Sequence, residues 1–191
     1  MNLGIKTNKE LIGNLIIFLA ERCNPLYHTK MMKLLFLIDQ ESTLEKGIPM
    51  TWLEYKAWKF GPVSPDLYYS KNDGYNKFSN YVSFDKKVKN NSVQVVPIKK
   101  FDDSEFSDWD IEIIDKVLKL YGQKTSEELI QLTHKKDSLW DKTVKRAGVK
   151  FSTSNKTSDE VLNFLELIDN DDYKKSIYFS TLENLEIKST L

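Results

Sequence analysis

Apolar residues along the first fifty positions recur at helical spacing. Leu11, Leu15, Phe18 and Leu19 share one side of a segment that Asn8 is placed to cap. The pattern predicts a first helix from Asn8 to about Arg22, and Asn24-Pro25 ends it, because the residue before proline avoids helical geometry. A second helix is predicted from about His28 to Lys46. Its middle, Leu34-Leu35-Phe36-Leu37-Ile38, is apolar on every face, which marks a helix surrounded by other elements. Gly47 supplies a left-handed closing residue and Pro49 prevents continuation.

Periodicity then changes. Residues 52–62 are rich in aromatics without a helical stripe and read in part as an extended strand. Ser64-Pro65-Asp66 starts a short helix reaching about Tyr69, with serine as cap, proline in the first turn and aspartate at the positive end of the dipole. Asn72-Asp73-Gly74 closes it as a turn. Tyr81-Val82-Ser83-Phe84 and Val93-Gln94-Val95-Val96 read as two strands around a turn at Lys89-Asn90-Asn91. Two strands alone are marginal, so this hairpin must lie on the helical body or gain a third strand, for which residues 52–60 are the candidate.

Three further helices carry capping signatures. Ser107 opens one reaching about Tyr121, with Trp109, Ile113, Val117 and Leu120 on one face and Trp109 placed in the core. Thr125 with Glu128 opens the second, to about His134, and Asp137 or Ser138 opens the third, which Gly148 ends. Beyond a polar connector at 151–156, Thr157 with Glu160 predicts a helix carrying Val161, Phe164, Leu165 and Ile168. Tyr178, Phe179, Leu182 and Leu185 suggest a docked C-terminal helix. The expected fold is mainly α, a compact helical domain with a small antiparallel β-hairpin or three-stranded element. Residues 1–150 form the main domain and 151–191 a C-terminal helical extension, packed on it or appended to it.

Composition narrows the function classes. The 28 basic and 28 acidic side chains cancel, and no helix gathers basic residues, so phosphate binding and membrane-surface binding are disfavoured. Lys86, Lys87, Lys89, Lys99 and Lys100 precede a run of acids from Asp102 to Asp115. That run reads as a solvated loop with acids at a helix start, or as a bipolar surface that orients a protein partner. The single cysteine, Cys23, excludes an internal disulfide and a cysteine metal cage, and reads as a packed thiol. His28 and His134 stand in no metal-ligand spacing, no phosphate-binding glycine loop or nucleophile elbow is present, and the carboxylates cluster at helix starts. The expectation is therefore no enzyme, no metal and no cofactor. The apolar run 15–20 is too short to span a bilayer, which takes ~20 residues, and no cleavage site follows it, so a cytoplasmic location is expected.

Three stretches together resemble the Panacea domain, the SocA-type antitoxin family. They are Lys33-Leu34-Leu35-Phe36-Leu37-Ile38-Asp39, the long stretch from Leu53-Glu54-Tyr55-Lys56-Ala57-Trp58-Lys59-Phe60-Gly61-Pro62 through Tyr68, and Glu128-Leu129-Ile130-Gln131-Leu132-Thr133-His134 with Trp140. The resemblance covers roughly residues 8–147. Leu139 stands where the family motif has a proline before the tryptophan, and the C-terminal end lies outside the resemblance. It implies an antitoxin that neutralises a cognate protein toxin by direct contact. The competing readings are a DNA-binding autorepressor and a phage or prophage protein that disables a host defence protein. The candidate partner-binding residues are Lys56, Trp58, Lys59, Phe60, Asp66, Tyr68, His134 and Trp140, around a groove expected between the Trp58–Tyr68 and His134–Trp140 regions. For Trp58 and Trp140 a core role stands beside the interface role. His134 is expected to hydrogen-bond the backbone of residues 52–62 or to donate to a partner. Gly61 and Pro62 set a fixed bend.

Overall fold

A computed structural model of the chain describes residues 7–72, 74–86 and 92–190, with backbone only for 188–190. Helix α1 (Lys9–Arg22) starts where the side chain of Asn8 accepts from the amides of Glu10 and Leu11. Its residues Ile12 to Ala20 are all buried, more than the single face that its spacing suggests, because a hairpin lies across it. Helix α2 (His28–Lys46) is the core helix expected from its all-round apolar middle, and Gly47 ends it at φ 84°. Around α2 pack a β-hairpin, a short 3-10 turn and the later helices.

Strands β1 (Lys56–Trp58) and β2 (Gly61–Val63) pair antiparallel with each other, Trp58 opposite Gly61 and Lys56 opposite Val63. They lead directly into α3 (Pro65–Tyr69). Strands β3 (Val82–Asp85) and β4 (Gln94–Pro97) form a second, separate hairpin, which lies on α1. Residues 52–60 therefore do not join it as a third strand. The predicted turn at Lys89-Asn90-Asn91 lies outside the described residues, as does Asp73.

Helix α4 (Asp108–Tyr121) starts with a reciprocal cap between Ser107 and Asp110, and α5 (Ser126–Thr133) with one between Thr125 and Glu128. Ser138 caps α6 (Leu139–Ala147), which Gly148 ends. On α4 the buried stripe is Ile113, Ile114 and Val117, and Trp109 is not in the core. It sits beside the end of α2, where Glu45 and Lys46 offer a carboxylate and a cation instead of apolar surface. Its indole donates to Glu45 at 3.3 Å, and the Lys46 ammonium lies 4.9 Å above its ring.

The helix predicted from Thr157 does not form. Residues 156–162 run extended along the free edge of β1: the amides of Ala57 and Lys59 donate to the carbonyls of Glu160 and Lys156, and that of Leu162 donates to the Tyr55 carbonyl. Helical geometry resumes only in a 3-10 turn, Phe164–Leu167, started by the side chain of Asn163. Helix α7 (Asp172–Thr190) follows, docked through buried Tyr178 against Trp52 at 5.0 Å between rings. Among the described residues no helix is long and apolar enough to cross a membrane.

Candidate functional site

The β1–β2 hairpin and α3 carry most of the candidate residues, and polar contacts from three sides hold this stretch and the residues leading into it. Two come from α2, where charges flank the apolar middle. Lys33 is 1% exposed, and its ammonium donates to the Pro62 carbonyl at 2.8 Å. Burial pulls its pKa down to about 7. Asp39 is fully buried and accepts from the Thr51 amide at 2.7 Å, the Thr51 hydroxyl, and the Tyr55 hydroxyl at 2.8 Å. Burial pushes its pKa up to about 6, and these hydrogen bonds limit the rise. Burial first, and the Asp39 charge second, raise the Tyr55 phenol well above its ordinary value.

The second side is α5 and α6. His134 closes α5 with its Nδ1 2.6 Å from the Ile130 carbonyl and its Nε2 3.0 Å from the Lys59 carbonyl. The contact to the aromatic segment is the one expected of His134 as a residue of the family-like motif. Trp140 is buried, its indole donates to the Trp58 carbonyl at 2.9 Å, and its ring centre lies 4.0 Å from that of His134. The hairpin bend passes close beneath them. Gly61 sits at φ 94°, and a Cβ there would lie 2.7 Å from the Thr133 hydroxyl and 2.8 Å from the Lys33 ammonium, so only glycine fits.

The third side is the segment beyond α6. Ser158 donates to the Ala57 carbonyl at 2.6 Å, while the Trp58 indole donates to the Ser158 carbonyl at 3.2 Å. Lys56 pairs with Asp159 at 2.7 Å, Lys59 donates to the Ser152 carbonyl at 2.9 Å, and Phe151 stacks on Trp140. The Trp58–Tyr68 and His134–Trp140 regions thus touch directly, with residues 151–160 laid against them. They are not parted by the groove that the sequence suggested.

On the outward side lies an aromatic surface. Phe60 is 53% exposed at the tip of the hairpin, and Tyr69 and Tyr75 are also exposed. Tyr68 is half-buried, 4.9 Å from the Trp58 ring, with the Lys71 ammonium 4.0 Å above it. Asp66 pairs with Lys77 at 2.6 Å. Of the eight candidates, Trp140 is therefore the one withdrawn from solvent, and His134 is engaged at both ring nitrogens. Sequence reasoning left Lys33, Asp39 and Ser158 without a role. The two charges that flank the apolar middle of α2 were the available signal. Cys23 is buried as expected, and among the described residues no group of three or more His, Cys, Asp or Glu is placed to hold a metal.

The comparisons with known proteins meet on the same region. Antitoxin SocA of Caulobacter vibrioides (strain NA1000 / CB15N) is 25% identical over 153 residues, which is 79% of this chain and 78% of that protein. No solved structure matches the chain. The profile of the family described as antitoxin SocA-like, Panacea domain, matches residues 31–141. That span runs from the start of the buried α2 core to the α6 tryptophan and holds the hydrogen bonds by which Lys33, His134 and Trp140 reach the β1–β2 hairpin. The chain belongs to the SocA-like, Panacea-domain antitoxin family.

Proposed function

We propose that this chain neutralises a protein toxin by binding it directly, through the aromatic surface formed by the β1–β2 hairpin and α3. One observation carries the reading. The hairpin backbone is fixed from beneath at Pro62, Lys59 and Trp58, yet its tip leaves Phe60 exposed, α3 leaves Tyr69 exposed beside Tyr68, and Tyr75 is exposed just beyond the helix. Aromatics dominate the energetics of protein interfaces, and a surface fixed in advance loses little freedom on binding.

The candidates divide by role. Phe60 and Tyr68 supply apolar contact, and Lys56, Lys59 and Asp66 form a charged rim around Trp58. His134 and Trp140 act from behind, by holding Lys59 and Trp58 in place. Residues 151–191 belong to the same folded unit in this reading, since they complete the edge of β1. The protein does no chemistry: the toxin's active surface is covered, in the cytoplasm where both are made. The test is the affinity of the toxin encoded beside this gene for Phe60→Ala and Tyr68→Ala variants. A loss of at least about tenfold in one of them is expected. Unchanged affinity in both would remove the hairpin and α3 as the contact surface.

A further inference from the structure

Helix α7 leaves a groove of about 390 Å³ beside the Trp52–Tyr178 contact. Its walls are apolar: Trp52, Phe164, Tyr178, Phe179 and Leu182. Phe179 is half exposed at its rim. The one charged side chain lining it is Glu54. The Oε2 atom of Glu54 is buried and, among the described residues, has no hydrogen-bond partner. A carboxylate oxygen taken from water without a donor is costly, so such an atom calls for an explanation. Lys56, two residues on, attracts Glu54 through space but gives its hydrogen bond to Asp159, so the Oε2 atom still lacks a donor. Trp52, whose ring forms one wall, holds φ 54°, a conformation that bulky residues rarely adopt and that gathers at sites under functional constraint.

An apolar, aromatic groove with one unsatisfied carboxylate fits a particular group. It must be cationic, carry several donors, and have a body that packs on rings. A guanidinium on its aliphatic stem has all three properties: it stacks on aromatic faces and donates two parallel hydrogen bonds to a carboxylate. An ammonium is more strongly hydrated and lacks the flat face. The terminal carboxylate torsion of Glu54 is soft, so turning the oxygen toward an incoming donor costs little.

We propose that the Glu54 groove receives an arginine side chain of a protein partner, with the guanidinium on Glu54 and the flanking apolar residues on Phe179 and Leu182. This deepens the toxin-binding reading and adds a second contact, remote from Phe60. The site can be probed without any toxin, so its failure is separable from failure of that reading.

The experiment titrates the full chain with the blocked tripeptide acetyl-Leu-Arg-Leu-amide while following the Trp52 indole N–H by NMR. The same titration uses the citrulline peptide, a neutral shape-match, and free argininamide. Saturable displacement by the arginine peptide is expected, with the citrulline peptide weaker by about tenfold. Glu54→Gln should abolish that preference without lowering the melting temperature, because no hydrogen bond to the Oε2 atom is lost. Equal binding of the arginine and citrulline peptides, or no saturable displacement, overturns the proposal on the unaltered chain alone. A preference that survives in Glu54→Gln overturns the role of Glu54. Argininamide binding as tightly as the peptide overturns the protein-partner assignment.

Discussion

Replacing Lys33 with methionine removes the buried ammonium that ties α2 to the Pro62 carbonyl, and its effect is best read as a slope against pH. In the unfolded chain this amine titrates near 10.5, and in the folded chain burial brings it down to about 7. A base whose folded pKa is depressed carries its full burial penalty below the folded value. The penalty is relieved as pH rises from there toward the unfolded value. Between pH 7 and 9 the unfolded state holds the proton while the folded state releases it, so stability rises. One proton is worth about 1.4 kcal/mol per pH unit, and half of the folded amine is already neutral at pH 7, so the gain over this window is roughly 2 kcal/mol. The side chain is 1% exposed, so solvent screening does not reduce this figure appreciably. The Cys23 thiol, raised by burial from its ordinary 9.0, acts in the opposite sense above that pH and closes the window. Urea unfolding followed by tryptophan fluorescence at pH 7 and pH 9 measures the slope. The native chain should gain stability with pH, and Lys33→Met should be nearly flat, whatever its absolute stability. A flat native chain, or an unchanged slope in the variant, would refute the assignment of a buried, depressed lysine.

Three other predictions rest on the same contacts. Asp39→Ala leaves the Thr51 amide, the Thr51 hydroxyl and the Tyr55 hydroxyl without their acceptor, and should cost about 3–5 kcal/mol in chemical denaturation. Asp39→Asn keeps one acceptor and should cost less. Gly61→Ala combines a positive φ with contacts under 3 Å and should destabilise by about 2–4 kcal/mol; melting within a degree of the native chain would contradict the close approach of Thr133 and Lys33. Phe60→Ala changes an exposed tip, so its unfolding free energy should stay within about 0.5 kcal/mol of the native value while toxin affinity falls.

Much of this fold was legible because the signals were local. Asn8, Gly47, Ser107 and Thr125 mark helix ends through contacts within a few residues, and the apolar middle of α2 announced a surrounded helix. The misreadings are places where distant contacts outweighed local ones. Thr157 and Glu160 have capping-box spacing, worth about 1 kcal/mol. Three backbone hydrogen bonds to β1 and its neighbour Tyr55, and burial of Leu162 and Phe164, hold the segment extended instead. Trp109 keeps helical spacing with Ile113, yet the end of α2 meets it with Glu45 and Lys46. In the site, the resemblance brought out Gly61, Pro62, His134 and Trp140, and the His134 contact to the hairpin backbone followed. The partners of Lys33 and Asp39 lie up to 29 residues away in sequence, and no periodic pattern carries such pairings.

The central claim is that this family member silences a toxin by contact. The most direct measurement expresses the adjacent open reading frame from one inducible promoter and this chain from another, scoring growth and copurification. The account predicts growth arrest by the neighbour alone, rescue by this chain, and a complex that survives purification. Rescue without any complex, or toxicity that this chain leaves unrelieved, would contradict it.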